Sequence, residues 1–235
     1  MARSTRTAMK HFPHQPSDRC RRLLQQIEAE AAEVGFWYRG QSLDPRVLDA
    51  IASVPREAFV PPDEERHAYA NVPLPIGFGQ TISQPFIVAL MTDLLRPGPD
   101  HIVLEIGTGS GYQAAVLGEL VRQVYSIEVV EALAEQARAR LAHLGCTNIE
   151  VRHGDGYDGW PEHAPFDGII VTAAAPFVPL PLIQQLKEGG RMVIPVDEGM
   201  AGQSLMLLEK HTSGEVTSRN MLPVAFVPLT RSVKA

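Results

Sequence analysis

The chain has 235 residues, a length that suits one large α/β domain or one domain with appendages, and 45% of them are hydrophobic, which is ordinary for a globular protein. Its formal net charge of −6 argues against a dedicated nucleic-acid-binding protein, because such proteins normally have a basic face. The longest apolar run, residues 168–183, contains three prolines and is shorter than the roughly 20 residues that span a bilayer, so it predicts buried core and not a membrane segment.

Helices followed by a long irregular segment are predicted in the N-terminal third of the chain. A first helix is predicted to start at Ser17 or Asp18 and to end at about Val34, because apolar residues recur there at helical spacing. A second, shorter helix is predicted with Pro45 at its first position. Residues 54–85 contain six prolines and are predicted to be irregular. A loop of this length in a compact domain is usually functional.

Strands and helices alternate from residue 86 onward. The predicted elements are helix 86–95, strand 101–106, helix 112–121, strand 123–128, helix 131–143, strand 148–152, strand 166–172, helix 180–187 and strand 190–196. This alternation implies right-handed crossovers and a parallel sheet. Residues 204–209 and 215–227 flank a turn and predict an antiparallel hairpin at the sheet edge. The fold class is therefore predicted to be α/β, with extra N-terminal helices.

Three alternate glycines join strand 101–106 to the next helix. Gly107, Gly109 and Gly111 tolerate positive φ and let the backbone approach a ligand, which the amides at the helix start then face. The dinucleotide fingerprint is spaced Gly-x-Gly-x-x-Gly, whereas the third glycine here comes one residue earlier. Glu105 would repel a pyrophosphate but could pair with an ammonium group. The loop therefore favours S-adenosylmethionine over NAD.

Two further acidic residues follow predicted strands. Glu128 ends strand 123–128, where a carboxylate can accept hydrogen bonds from ribose hydroxyls of either cofactor. Asp155 follows the next strand and could accept a hydrogen bond from an adenine amino group, although Asp-Gly is also a common turn. His153 has no neighbour at metal-ligand spacing, so no metal site is predicted.

Ser83 immediately precedes a predicted helix and has two interpretations. Its hydroxyl could cap the helix, or it could take part in chemistry. A Ser-His-Asp hydrolase is disfavoured because no Gly-x-Ser-x-Gly motif surrounds Ser83, and Ser110 lies between glycines without the full motif. The residue pattern alone leaves both interpretations of Ser83 open.

Six segments together resemble the protein-L-isoaspartate O-methyltransferase family. They are residues 54–60, 74–85, 105–112, 153–156, 165–167 and 226–230. The resemblance runs in order from Arg19 to Thr230; residues 79–85 (Gly-Gln-Thr-Ile-Ser-Gln-Pro) are specific to that family, whereas many methyltransferases share the glycine loop. It implies a three-layer, Rossmann-like class I S-adenosylmethionine-dependent methyltransferase fold. The implied reaction is methylation of the free α-carboxylate of L-isoaspartyl residues in damaged proteins, with D-aspartyl residues as a further candidate substrate.

The resemblance also assigns roles to residues. It places the family's active-site serine on Ser83 and implies a set of cofactor contacts, to which the residue pattern adds Glu105. The implied contacts are Thr81, Ile82, Gly107, Thr108, Gly109, Gly111, Glu128, Gly154, Asp155 and Thr230. An ionised carboxylate with a pKa near ~4 needs no general base at neutral pH. Ser83 is therefore expected to position the acceptor by donating a hydrogen bond, while the site aligns the reacting atoms.

One methyltransferase domain is expected over residues 19–235, with the N-terminal helices and substrate loop in 19–85 and the cofactor-binding core in 86–235. Residues 1–18 are expected to form a flexible extension. The expected partners are isoaspartyl proteins and peptides, held between residues 71–82 and 223–228. Neither nucleic acid nor membrane is an expected partner, and the protein is expected to be a cytoplasmic monomer.

Two alternatives remain open from the residues. One is an S-adenosylmethionine methyltransferase with a small-molecule or RNA acceptor, which would share the glycine loop without needing residues 79–85. The other is an interaction module that binds the cofactor without catalysis.

The two cysteines, Cys20 and Cys146, are expected to be free thiols, as in a reducing compartment.

Overall fold

The computed structural model of the protein describes residues 16–34 and 42–231. All but the last three residues of the predicted extension 1–18 lie outside the described residues. The helices are α1 (Asp18–Glu33), α2 (Pro45–Ser53), α3 (Pro85–Leu95), α4 (Tyr112–Gly118), α5 (Glu131–His143) and α6 (Leu180–Gln185). The strands are β1 (Leu74–Gly77), β2 (Gln80–Ile82), β3 (Ile102–Ile106), β4 (Gln123–Glu128), β5 (Ile149–His153), β6 (Phe166–Val171), β7 (Leu186–Asp197), β8 (Gln203–Lys210) and β9 (Val216–Val224).

Seven strands form the main sheet in the order β5-β4-β3-β6-β7-β8-β9. Strands β3 to β7 pair in parallel, whereas β8 and β9 pair antiparallel at one edge. The predicted α/β class, the parallel sheet and the C-terminal hairpin are therefore confirmed. Strand β7 starts earlier than predicted because Leu186, which is fully buried, pairs with Phe166 of β6.

The sheet lies between two apolar layers, which makes the fold three-layered. Val103 of β3 packs into a core that includes buried residues of α1 to α5. The next residue, Leu104, faces the opposite layer, where it packs with Leu182 of α6 and Trp160. Burial on both faces is typical of a parallel sheet, and each fully buried aliphatic side chain contributes about 1.5–3 kcal/mol. The core thus holds the carboxyl ends of the central strands in a fixed arrangement.

The segment predicted to be irregular is instead ordered. Residues Arg56–Phe59 and Pro62–His67 form 3-10 helices, and β1 and β2 form a separate antiparallel hairpin. Strands of three or four residues are too short for hydrophobic alternation to reveal. The prediction of an irregular segment is therefore wrong in its local structure, while the hairpin reaches the cleft described below.

The start of α3 corrects one interpretation of Ser83. The N-cap residue of α3 is Gln84, and its side chain makes no capping hydrogen bond. The backbone N–H of Phe86 instead donates to the side-chain oxygen of Asn71 at 2.9 Å. Of the two interpretations of Ser83, capping is therefore excluded, because a residue from a distant segment supplies the acceptor and leaves the Ser83 hydroxyl available.

Both cysteines are buried free thiols, as predicted. Among the described residues, no helix is long and apolar enough to cross a membrane.

Candidate active site

The glycine loop between β3 and α4 is built tightly against the neighbouring strands. Gly107, Gly109 and Gly111 have φ values of +95°, +52° and +90°, which side chains rarely adopt. The Gly107 N–H donates to the carbonyl of Ile127 at 2.8 Å, and the Thr172 hydroxyl donates to the Gly107 carbonyl at 2.6 Å. The loop is therefore anchored by β4 on one side and by the end of β6 on the other.

A cleft with about 530 Å³ of empty space opens at the carboxyl ends of β3, β4 and β6. This is the edge at which open α/β sheets bind ligands. Its lining residues are Gln80, Thr81, Ile106, Gly107, Gly109, Ile127, Glu128, Val129, Gly156, Thr172, Ala173, Val227, Pro228, Leu229 and Thr230. Five residues predicted to contact the cofactor are thus brought together here. They are Thr81, Gly107, Gly109, Glu128 and Thr230.

Glu128 presents a fixed carboxylate to this cofactor cleft. One of its oxygens accepts from the Gly109 N–H at 2.7 Å and the other from the Val130 N–H at 3.0 Å. The side chain is nearly buried, at 5% exposure. Because each carboxylate oxygen can accept more than one hydrogen bond, both retain capacity for a pair of ligand hydroxyls.

The other predicted cofactor residues lie beside or beneath the cofactor cleft. Asp155 accepts from the Tyr157 N–H at 2.9 Å and so caps a short 3-10 helix, as an Asp-Gly turn would. Gly156 lines the cleft, and a Cβ built there would lie 2.3 Å from Ile106. Gly156 was not among the predicted contacts, although it belongs to the same segment as Asp155, residues 153–156. Ile82, Thr108, Gly111 and Gly154 do not line the cleft.

Glu105 is fully buried below the glycine loop and does not line the cofactor cleft. It is hydrogen-bonded to the hydroxyl of Ser126, which in turn lies 2.5 Å from the hydroxyl of Thr108. Burial raises the pKa of Glu105 to about 8. Glu105 supports the loop from below through Ser126 and Thr108, and because it does not line the cleft it is not placed for the predicted pairing with an ammonium group.

A second cavity, with about 1120 Å³ of empty space, adjoins the cofactor cleft. Its lining residues are Glu30, Val34, Pro73, Thr81, Ser83, Gln84, Phe86, Ile87, Thr172, Leu222, Pro223, Val224, Ala225, Phe226 and Val227. Thr81, Thr172 and Val227 line both spaces, so the two meet there. The predicted groove walls, residues 71–82 and 223–228, both contribute side chains to this acceptor cavity.

Several contacts hold the chain around Ser83. The Nη2 atom of Arg56 donates to the Ser83 carbonyl at 2.8 Å. Gln84 and Asn71 each donate to the Glu30 carboxylate, at 3.1 Å and 2.7 Å. Neither Arg56 nor Glu30 was predicted as a site residue, although Arg56 belongs to segment 54–60, one of the six segments that carry the family resemblance. Ser83 is half-buried and lines the acceptor cavity.

Comparison with known proteins gives a consistent result. Residues 37–234 match the family model of protein-L-isoaspartate(D-aspartate) O-methyltransferase. The chain is 59% identical to a protein-L-isoaspartate O-methyltransferase 2 of Syntrophobacter fumaroxidans, over 89% of this chain and 85% of that one. A solved protein-L-isoaspartate O-methyltransferase has a TM-score of 0.79 at 27% identity, covering 91% of this chain and 67% of that one. A Plasmodium falciparum structure described as the same enzyme, in complex with S-adenosyl-L-homocysteine, has a TM-score of 0.74 at 23% identity, covering 92% and 100%.

Proposed function

Because the chain belongs to the protein-L-isoaspartate(D-aspartate) O-methyltransferase family, we propose that it methylates the free α-carboxylate of L-isoaspartyl residues in proteins and peptides. The observation that carries this proposal is the meeting of the cofactor cleft and the acceptor cavity at Thr81, Thr172 and Val227. Ser83 lies in the acceptor cavity and not in the cofactor cleft. A donor and an acceptor can therefore approach each other across that junction.

The cofactor cleft fits S-adenosylmethionine. A Cβ on Gly107 would lie 2.5 Å from Thr172 Oγ1, so no other residue fits at the turn that brings the loop backbone to the cleft. We assign the ribose hydroxyls to Glu128 and the adenine base to the apolar walls formed by Ile127, Val129 and Leu229. When bound, S-adenosylmethionine supplies a methyl group on a positively charged sulfur.

The remaining predicted cofactor residues have supporting roles in this proposal. Thr81 and Thr230 close the cleft from two different segments. Six others do not line the cleft, and we assign them to the support of the segments around it: Ile82, Thr108, Gly111, Glu105, Gly154 and Asp155.

The Ser83 hydroxyl is proposed to donate a hydrogen bond to the acceptor carboxylate. A carboxylate is already ionised at neutral pH, so the site needs no general base. The site must instead hold the carboxylate oxygen in line with the methyl group and keep water away. Orientation of this kind can supply up to about 7–11 kcal/mol. A neutral hydroxyl in contact with the anion orients it without pairing it so strongly that attack is slowed.

The acceptor peptide is proposed to lie in the acceptor cavity, between Pro73 and Thr81 on one side and residues 222–227 on the other. D-aspartyl residues are a further candidate substrate. A single catalytic domain over residues 19–235, with 1–18 outside it, and a cytoplasmic monomer remain predictions.

The experiment compares two peptides that differ only in an aspartyl or isoaspartyl linkage, each incubated with the protein and methyl-labelled S-adenosylmethionine. We expect base-labile label in the isoaspartyl peptide alone. Label in an RNA or a small-molecule acceptor instead, with neither peptide modified, would favour a different methyltransferase. Binding of S-adenosyl-L-homocysteine without transfer to any acceptor would favour the interaction module.

A further inference from the structure

The largest fully buried side chain of the described residues is a cation beside the proposed acceptor site. Arg56 is 0% exposed and lies in the 3-10 helix Arg56–Phe59. Its Nη2 atom donates to the Ser83 carbonyl at 2.8 Å, while Nε and Nη1 have no hydrogen-bond partner. It forms no ion pair within the described ranges 16–34 and 42–231. Burial lowers the pKa of Arg56, yet a guanidinium stays protonated in proteins.

The same guanidinium also contacts the start of α4, the helix that follows the glycine loop. Its central carbon lies 4.8 Å from the ring centroid of Tyr112, the first residue of α4 after the glycine loop. Phe59, from the same 3-10 helix, packs edge-on against that ring at 5.5 Å between centroids. One short helix thus contacts both the acceptor segment, through the Ser83 carbonyl, and the residue that follows Gly111.

A buried cation without an anionic partner costs stability, and apolar residues of similar size are often neutral or stabilising in its place. Packing alone therefore does not explain an arginine at this position. What an apolar side chain cannot provide is a donor to the Ser83 carbonyl. That hydrogen bond restrains the peptide unit between Ser83 and Gln84, and so the backbone that carries the Ser83 side chain.

We propose that Arg56 is a positioning residue, which fixes the place of the Ser83 hydroxyl relative to helix α4 and the glycine loop before it. The hydroxyl contacts the acceptor carboxylate, whereas Arg56 is fully buried, does not line the acceptor cavity and reaches Ser83 through its carbonyl. This inference rests on the proposed function, because it assumes that Ser83 orients the acceptor. It adds a residue that acts through Ser83 and not on the substrate.

A double-mutant cycle tests the proposal. Arg56→Met is expected to lower kcat for the isoaspartyl peptide about tenfold or more, because small displacements of an orienting group are costly. The Kd of S-adenosyl-L-homocysteine should stay within about twofold of the wild-type value. In the Ser83→Ala background, the same substitution should change kcat by less than about twofold, because no hydroxyl is left to position. A residue that only maintains the fold would lower kcat by the same factor in both backgrounds.

Two further variants serve as a conservative replacement and as a control. Arg56→Lys keeps the charge and a donor, so it should restore part of the lost kcat, and it carries the same comparison if Arg56→Met does not fold. Arg122→Met is the matched control, because Arg122 is exposed and makes no side-chain hydrogen bond or ion pair with the described residues.

Equal factors in the two Ser83 backgrounds, or unchanged kcat in Arg56→Met, would overturn the role of Arg56. Absence of label in the isoaspartyl peptide with the wild-type protein would instead overturn the proposed function.

Discussion

The hydroxyl oxygen of Thr172 lies where a side chain on Gly107 would begin, since a Cβ built on Gly107 would be 2.5 Å from it. The same hydroxyl donates to the Gly107 carbonyl, and Gly107 has a φ of +95°. The end of β6 thus fixes the first turn of the glycine loop. Both residues line the cofactor cleft, so this hydrogen bond joins the glycine loop to the opposite wall of the cleft.

Gly107→Ala is therefore expected to weaken S-adenosyl-L-homocysteine binding about tenfold or more, because the backbone is strained and the loop must move away from Thr172. Isothermal titration calorimetry measures the affinity. Gly145→Ala is the matched control, since Gly145 has a φ of +77° at the end of α5 and open space around its Cβ position. It should lower the free energy of unfolding by about 1–2 kcal/mol and leave the affinity unchanged. Equal weakening by both substitutions would contradict a specific role for the loop.

Glu128→Gln is expected to weaken cofactor binding. The two carboxylate oxygens accept from the Gly109 and Val130 N–H groups, and an amide would turn its NH2 group toward one of these donors. One backbone N–H would lose its acceptor and would face another donor. We therefore expect the binding free energy of S-adenosyl-L-homocysteine to weaken by about 2–3 kcal/mol, or roughly 30- to 150-fold in Kd. Glu135→Gln on the exposed face of α5 serves as the control. If both variants bind S-adenosyl-L-homocysteine as tightly as the wild type, the ribose contact is wrong.

Glu105 predicts a pH dependence of stability. Its pKa rises from an ordinary value of 4.5 to about 8 because the side chain is fully buried. Between these values the unfolded chain has lost the proton that the folded chain keeps, so stability falls as pH rises, by up to about 1.4 kcal/mol per unit. Glu105→Gln lacks this titration. In urea unfolding from pH 5 to 8, the variant should therefore become more stable relative to the wild type as pH rises. A difference in the free energy of unfolding that stays constant over this range would contradict the raised pKa of Glu105.

Elements with strong local patterns could be predicted, whereas contacts between distant segments could not. Strand 123–128 and helix 131–143 have the predicted bounds, because each carries an unbroken apolar pattern. The β1–β2 hairpin was missed, since its short strands are held partly by packing of Ile76 against the glycine loop. The burial of Glu105 and the contact of Arg56 with Ser83 were also missed. Both depend on which side chains surround them after folding, and residue spacing does not encode this.

Asn71 is expected to stabilise the acceptor side of the site. Its side-chain oxygen accepts from the Phe86 N–H at the start of α3, and its amide donates to Glu30. Asn71→Ala removes a helix cap and should lower the free energy of unfolding by about 1–2 kcal/mol. Thermal or urea unfolding measures this loss. Asn220→Ala, at an exposed position of β9, should stay within about 0.5 kcal/mol of the wild type. Similar losses in the two variants would show that the cap contributes nothing specific.

The most direct measurement of the central claim, that Ser83 orients the acceptor carboxylate, is single-turnover methyl transfer to an isoaspartyl peptide by the wild type and by Ser83→Ala. The rate should fall about tenfold or more in the variant, while the Kd of S-adenosyl-L-homocysteine changes less than about twofold. An unchanged rate, or a loss of cofactor affinity that accounts for the whole decrease, would contradict the claim.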